Sequence, residues 1–241
     1  MMQVAIVFYP GMTALDAIGP YEVLRQLPGA TVRFVGGEVG PVATDSGVLF
    51  LGVTHTYAET SSPDLVLVPG GTSVAAPMAD TELTGWLRQV HRTTTWTTSV
   101  CTGAMILAAA GILDGVPATT HWLAQRPLGA MGAKPQPGER IVVDGKIATA
   151  AGVSAGIDLG LWLAGEIAGR QVAEAIQLGI EYDPRPPFDS GHPSKASGRT
   201  RSLARTGLIA RGTSVSEAIA VPKVAWRRAI DVYRNTRKAK A

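Results

Sequence analysis

Cysteine is almost absent from this chain: Cys101 is the only one in 241 residues. A lone thiol excludes an intramolecular disulfide framework and fits a reducing compartment, so a cytoplasmic location is expected. Aromatic residues are scarce, at 6%. No apolar run reaches the ~20 residues that a membrane-spanning helix needs, and the opening MMQVAIVFYPG lacks the basic start and apolar core of a signal peptide. HExxH, CxxC and clustered carboxylates are missing, which argues against a metal. GxGxxG and the P-loop are also missing, which argues against a nucleotide. No metal, no organic cofactor and no membrane partner are therefore expected.

What is present is a hydrophobic content of 46%, enough for one well-buried domain. The net charge of +3 conceals an asymmetry. Up to Gly191 there are 10 basic and 17 acidic residues, whereas from His192 onward 12 basic residues face only Glu217 and Asp231. The body is acidic and the tail basic, so the case for nucleic acid as a partner rests on the tail alone. A solvated basic tail, or a helix packed on the body, is the plainer reading.

Short β-branched runs alternate with helical patterns. Residues 3–9, 31–37, 63–71, 95–100 and 117–122 read as strands, and 40–53 and 139–152 as hairpins turning near Asp45–Gly47 and at Asp144–Gly145. Residues 11–27, with a kink expected at Pro20, together with 81–92, 102–111, 155–169 and 171–182, read as helices. Repeated βα units with buried strands imply a doubly wound α/β domain, a mainly parallel sheet with helices on both faces. Residues 183–198 are rich in Pro, Gly and Ser and read as an irregular arm, and 214–235 as a basic helix interrupted near Pro222.

Cys101 sits where a strand meets a helix, in SVCTG. In an open α/β sheet that edge binds ligands, and such a junction has the logic of a nucleophile elbow. A thiol at a helix N-terminus is expected to have a lowered pKa. The competing reading is an inert buried thiol. LVPGG ends a neighbouring strand, and the Gly71 amide, with that of Thr102, is a candidate two-donor hole for developing negative charge; Gly70 precedes it in the same turn. Asp16, within TALDAIGP, either faces solvent or caps a turn, or it faces the thiol; in the last case burial and a neighbouring thiolate raise its pKa and make it a proton donor. His121 in TTHW is a candidate for lining the site. The string Gly152-Val153-Ser154-Ala155-Gly156 imitates GxSxG but reads as a helix entry with Ser154 as the cap.

With YPGMTALDAIGPYEVL, LVPGG, SVCTGAMILAAAGILDG, ATTHW and GIEYDPRPPFDSG in view, the chain resembles the DJ-1/PfpI superfamily, relatives of class I glutamine amidotransferase domains, and within it the isonitrile hydratase-like branch. The resemblance covers roughly residues 3–195, making 1–195 the family domain and 196–241 a basic extension. It implies that Cys101 is the nucleophile, Asp16 its acidic partner and Thr102 a supporting residue, with the anion hole at the amides of Gly71 and Thr102. It further implies a homodimer and hydration of isonitriles to formamides through a thioimidate on Cys101. Members acting as proteases or deglycases tend to carry histidine after the cysteine; here that position is Thr102, so peptidase activity loses support. An α-oxoaldehyde substrate and a non-catalytic thiol sensor stay open as alternatives.

Overall fold

The structure, a computed structural model, describes residues 1–212 together with Val224 and Trp226. In chain order the elements are β1 (Met2–Val7), α1 (Ala14–Leu24), β2 (Ala30–Gly36), β3 (Gly40–Ala43), β4 (Phe50–Val53), β5 (His55–Thr56), β6 (Leu65–Val68), α2 (Ala75–Ala79), α3 (Thr81–His91) and β7 (Trp96–Val100). They continue with α4 (Gly103–Ala109), β8 (Pro117–Ala118), α5 (Gln125–Ala130), β9 (Lys134–Pro135), β10 (Ile141–Asp144), β11 (Ile147–Ala150), α6 (Ala155–Ala168), α7 (Arg170–Gly179) and α8 (Gly198–Gly212).

The main sheet has seven strands in the order β10-β11-β7-β6-β1-β2-β5, and every pair is parallel except β10 with β11. Helices cover both faces of a parallel sheet, so its central strands must be apolar on both sides. The sequence LVLV of β6 meets this demand, and all four residues are fully buried. From β1 the chain winds outward to β2 on one side and later returns to β6 on the other, so β1 and β6 flank the point where the winding reverses. The crevice outside the carboxyl ends of such strands is where doubly wound domains bind ligands.

Local chemistry sets the helices. The α3 pattern buries Leu83, Trp86, Leu87 and Val90 along one face, and Asp80 caps it, its Oδ1 accepting from the N–H groups of Glu82 at 2.8 Å and Leu83 at 3.2 Å. Helix α1 runs through Pro20 to Leu24 and lies tightly against α6. A Cβ on Gly156 would stand 3.1 Å from Pro20 Cδ, and one on Gly160 would stand 3.1 Å from Val23 Cβ. This seam of small residues fixes where α1, and hence Asp16, sits.

Several expectations change. The 117–122 strand shrinks to Pro117–Ala118, which pairs with β9 outside the main sheet. The next residues bond through side chains instead: the Thr119 N–H donates to Thr149 Oγ1 at 2.9 Å, and Thr120 Oγ1 donates to the Cys101 carbonyl at 2.8 Å. Ser154 occupies the N-cap position of α6 but makes no capping bond; its hydroxyl meets Arg140 Nη2 at 3.3 Å. The arm at 183–197 carries no helix or strand, and α8 follows it. The helix expected over 214–235 lies outside the described residues, apart from Val224 and Trp226. No helix among the described residues is long and apolar enough to cross a membrane.

Candidate active site

Three loops meet at the carboxyl edge of the sheet: 8–13 after β1, 69–74 after β6, and the junction of β7 with α4. The last carries Cys101, whose φ is 57°, in the left-handed region that a side chain adopts only when its surroundings impose it. The surroundings are visible. The Cys101 N–H donates to the carbonyls of Ala151 at 2.7 Å and Ala150 at 3.1 Å, and its own carbonyl accepts from Thr120 Oγ1. Behind it α4 presses onto β6 so closely that a Cβ on Gly103 would lie 2.1 Å from the Val68 carbonyl oxygen. Together these hold a strained strand-to-helix turn, an elbow in the backbone at Cys101.

Asp16, in the first turn of α1, is fully buried and faces the thiol, with which its carboxyl is hydrogen-bonded. Its Oδ2 also accepts from the Gly70 N–H at 2.9 Å, while Oδ1 is buried with no partner. Burial pushes its pKa from 3.8 to about 7; the Gly70 N–H and Cys101 oppose that rise, and the Asp45 charge adds to it. A carboxyl poised near neutrality can give and take a proton at working pH.

The thiol departs from expectation. Cys101 is 5% exposed, and its pKa is raised, not lowered. Burial is the main cause and the adjacent Asp16 charge the second; the Thr102 N–H and side chain pull the other way without prevailing. Desolvation and a neighbouring acid outweigh the helix terminus here.

The anion hole also differs. The Gly71 N–H is not free: it donates to Thr102 Oγ1 at 2.9 Å, and that hydroxyl donates to the Gly71 carbonyl at 2.8 Å. The Thr102 amide is directed at the Cys101 sulfur. Thr102 thus ties the glycine turn to the elbow, and Gly70 rather than Gly71 contributes the amide that meets the acid. A Cβ on Gly70 would fall 2.5 Å from Thr102 N and 2.6 Å from Thr102 Oγ1, so the turn closes only with glycine. Gly70→Ala is expected to cut turnover about 100-fold or more while lowering stability by about 1–3 kcal/mol, measured by steady-state assay and urea denaturation.

His121 packs with its Cδ2 3.2 Å from where a Cβ on Gly152 would stand, and its Nδ1 accepts from the Leu123 N–H at 3.4 Å. Burial lowers its pKa, and it packs beside Gly152, next to the Ala151 carbonyl that accepts from the Cys101 N–H. Two further residues belong to the site. Thr120 holds the elbow carbonyl, and Tyr9, two residues past β1, donates its hydroxyl to the Pro69 carbonyl at 2.8 Å. Applying the strand-end rule to β1, as to β6 and β7, points to Tyr9. Among the described residues no group of three or more His, Cys, Asp or Glu is placed to hold a metal ion.

The fold is an open α/β sheet whose switch point carries Cys101 at a strained strand-to-helix elbow beside the buried acid Asp16. The model of the DJ-1/PfpI family matches residues 2–166, and the chain belongs to that family. It is 40% identical over 204 residues to an isonitrile hydratase of Pseudomonas putida, covering 85% of this chain and 89% of that protein. It is 29% identical over 175 residues to the HTH-type transcriptional regulator CdhR of Pseudomonas aeruginosa, spanning 69% of this chain and 51% of the regulator. Among solved structures, a THiJ/PfpI family protein from Pseudomonas syringae superposes with a TM-score of 0.82 at 37% identity, covering 91% of this chain and 90% of that one.

Proposed function

We propose that this protein hydrates isonitriles to N-substituted formamides, with Cys101 as nucleophile and Asp16 as the proton carrier. The observation that carries the reading is the buried Asp16 carboxyl, hydrogen-bonded to the thiol and with a pKa of about 7. The 40% identity to an isonitrile hydratase supports the choice of substrate.

The chemistry needs an acid that protonates carbon and a nucleophile that leaves again. As Cys101 attacks the terminal carbon of R–N≡C, its proton having passed to Asp16, Asp16 delivers that proton to the same carbon and a thioimidate, R–N=CH–S, results. Water then adds to this carbon, one of its protons going to nitrogen. Collapse of the adduct breaks the C–S bond, returns the other water proton to Asp16 and releases R–NH–CHO with the thiolate regenerated. The C–S bond takes its electron pair from sulfur, the C–H bond takes the lone pair of the isonitrile carbon, the C–O bond takes its pair from water, and the imine π pair moves to nitrogen to take the proton. Thr102 keeps the elbow and the glycine turn in register and directs its amide at the sulfur, so negative charge on the thiolate meets a donor.

The test is formamide production from cyclohexyl isocyanide, with methylglyoxal as the comparison substrate. Turnover of the isonitrile and not of the oxoaldehyde supports hydration; the reverse preference replaces it. We take 1–195 as the working unit, with the basic extension outside the chemistry and nucleic acid not among its partners. A homodimer is expected, for which the exposed Val48, Leu49 and Phe50 around β4 offer apolar area. Light scattering of the purified protein should give twice the chain mass of 25.1 kDa.

A further inference from the structure

We propose that Tyr9 is a positioning residue for the Asp16–Cys101 pair, its hydroxyl holding the Pro69–Gly70 peptide so that the N–H of that peptide stays on the Asp16 carboxylate. This rests on the reading of Asp16 as the proton carrier and adds a residue through which the fold sets its acidity.

One peptide unit in this site is bonded at both ends. Its carbonyl, on Pro69, accepts from Tyr9 Oη at 2.8 Å, and its N–H, on Gly70, donates to Asp16 Oδ2 at 2.9 Å. A peptide is planar, so fixing the carbonyl fixes the direction of the N–H. A donor on the carbonyl also polarises the amide and strengthens what the N–H gives. Here the control is particularly consequential, because Oδ1 of the same carboxyl has no partner and Oδ2 is where the bound N–H acts.

Packing alone does not call for the hydroxyl. The neighbouring Phe8, buried as deeply, fills its place with a bare ring stacked on Phe34 at 4.4 Å. A hydroxyl carried into that surrounding costs free energy unless it is bonded, and the bond it makes leads to the acid. Burial first, then the charges of Asp16 and Cys101, hold the Tyr9 hydroxyl protonated, so it remains a donor throughout the working range. The groups facing Asp16 are then Tyr9 and the Gly70 amide from the ends of β1 and β6, Cys101 from the elbow, and Asp45 from the turn between β3 and β4, the last anchored by Thr13 Oγ1 at 2.6 Å.

Because the Gly70 N–H favours the carboxylate, loosening it must make that carboxylate harder to form. The experiment is the rate of Cys101 alkylation by iodoacetamide against pH, which needs no isonitrile. In Tyr9→Phe the midpoint should move up by about half to one pH unit, the worth of one hydrogen bond. Added to Asp16→Asn, which has no carboxyl to tune, the same change should leave the profile where it was. An unmoved midpoint in folded Tyr9→Phe, or an equal shift in both backgrounds, overturns the proposal and makes Tyr9 a packing residue. Formamide production by the wild type, run in parallel, separates the two ideas. A shifted midpoint without formamide removes isonitrile hydration and leaves the role of Tyr9 standing; formamide with an unshifted midpoint does the reverse.

Discussion

Cys101→Ala is expected to make no measurable formamide from cyclohexyl isocyanide, a loss on the order of 10⁴-fold or more in kcat/KM, while unfolding with wild-type cooperativity. The two halves of this expectation come from different atoms. Without sulfur no thioimidate forms, and Asp16 alone has no nucleophile to work with. The elbow itself is held through the backbone of Cys101, whose N–H donates to the carbonyls of Ala150 and Ala151 and whose carbonyl accepts from the Thr120 hydroxyl. What does not relax on mutation to alanine is the φ of 57°, because a Cβ is still present. Cys101→Gly should therefore be as inactive and about 1 kcal/mol more stable than Cys101→Ala by chemical denaturation. Full turnover by a folded Cys101→Ala protein would end the proposed mechanism.

Asp16→Asn is expected to slow turnover by roughly 10²–10⁴-fold and, at the same time, to stabilise the protein above neutrality. The amide keeps an acceptor for the Gly70 N–H but has no proton to deliver to carbon. Stability follows from linkage. The folded pKa is about 7 against 3.8 for an ordinary aspartate, so between those values the folded protein holds a proton that the unfolded chain has lost. The wild type is then most stable below pH ~4, loses stability as pH rises through about 7, and is level beyond it. Three pH units correspond to about 4 kcal/mol. At pH 8 the Asn variant should gain up to that amount, and the difference should fade toward pH 4. Denaturation at pH 4, 6 and 8 measures it; a variant less stable than wild type at pH 8 would show that the carboxylate is held comfortably and not under strain. An acid buried at a cost in stability is what a functional proton carrier entails.

The alternation of apolar runs with helical patterns was legible because a sheet covered on both faces demands continuous apolar strands, as LVLV shows, and because α3 carries both its cap and its buried stripe in eleven consecutive residues. The edge where the site lies was legible for the same reason: Cys101 follows β7 directly, and Gly70–Gly71 follow β6 after Pro69. The failures share a different cause. The strand expected at 117–122 gave way because Thr119 and Thr120 find partners in Thr149 and Cys101, contacts 30 and 19 residues away. Helix α8 and the short α5 and β9 leave too little periodic signal to be read.

For this protein the amino-acid sequence alone determined the class of fold, the place of the thiol at a strand-to-helix junction, and the presence of an acid and a glycine turn in adjoining loops, since these depend on short-range pattern and strand order. Tertiary structure decided which way each group acts. It turned Asp16 inward onto sulfur, occupied the Gly71 amide with the Thr102 hydroxyl, brought Tyr9 to the Pro69 carbonyl, and raised rather than lowered the thiol pKa. Each of these depends on burial and on hydrogen bonds between residues 31 to 85 positions apart in the chain, and desolvation, the largest influence on both Asp16 and Cys101, exists only once the sheet edge has closed around them.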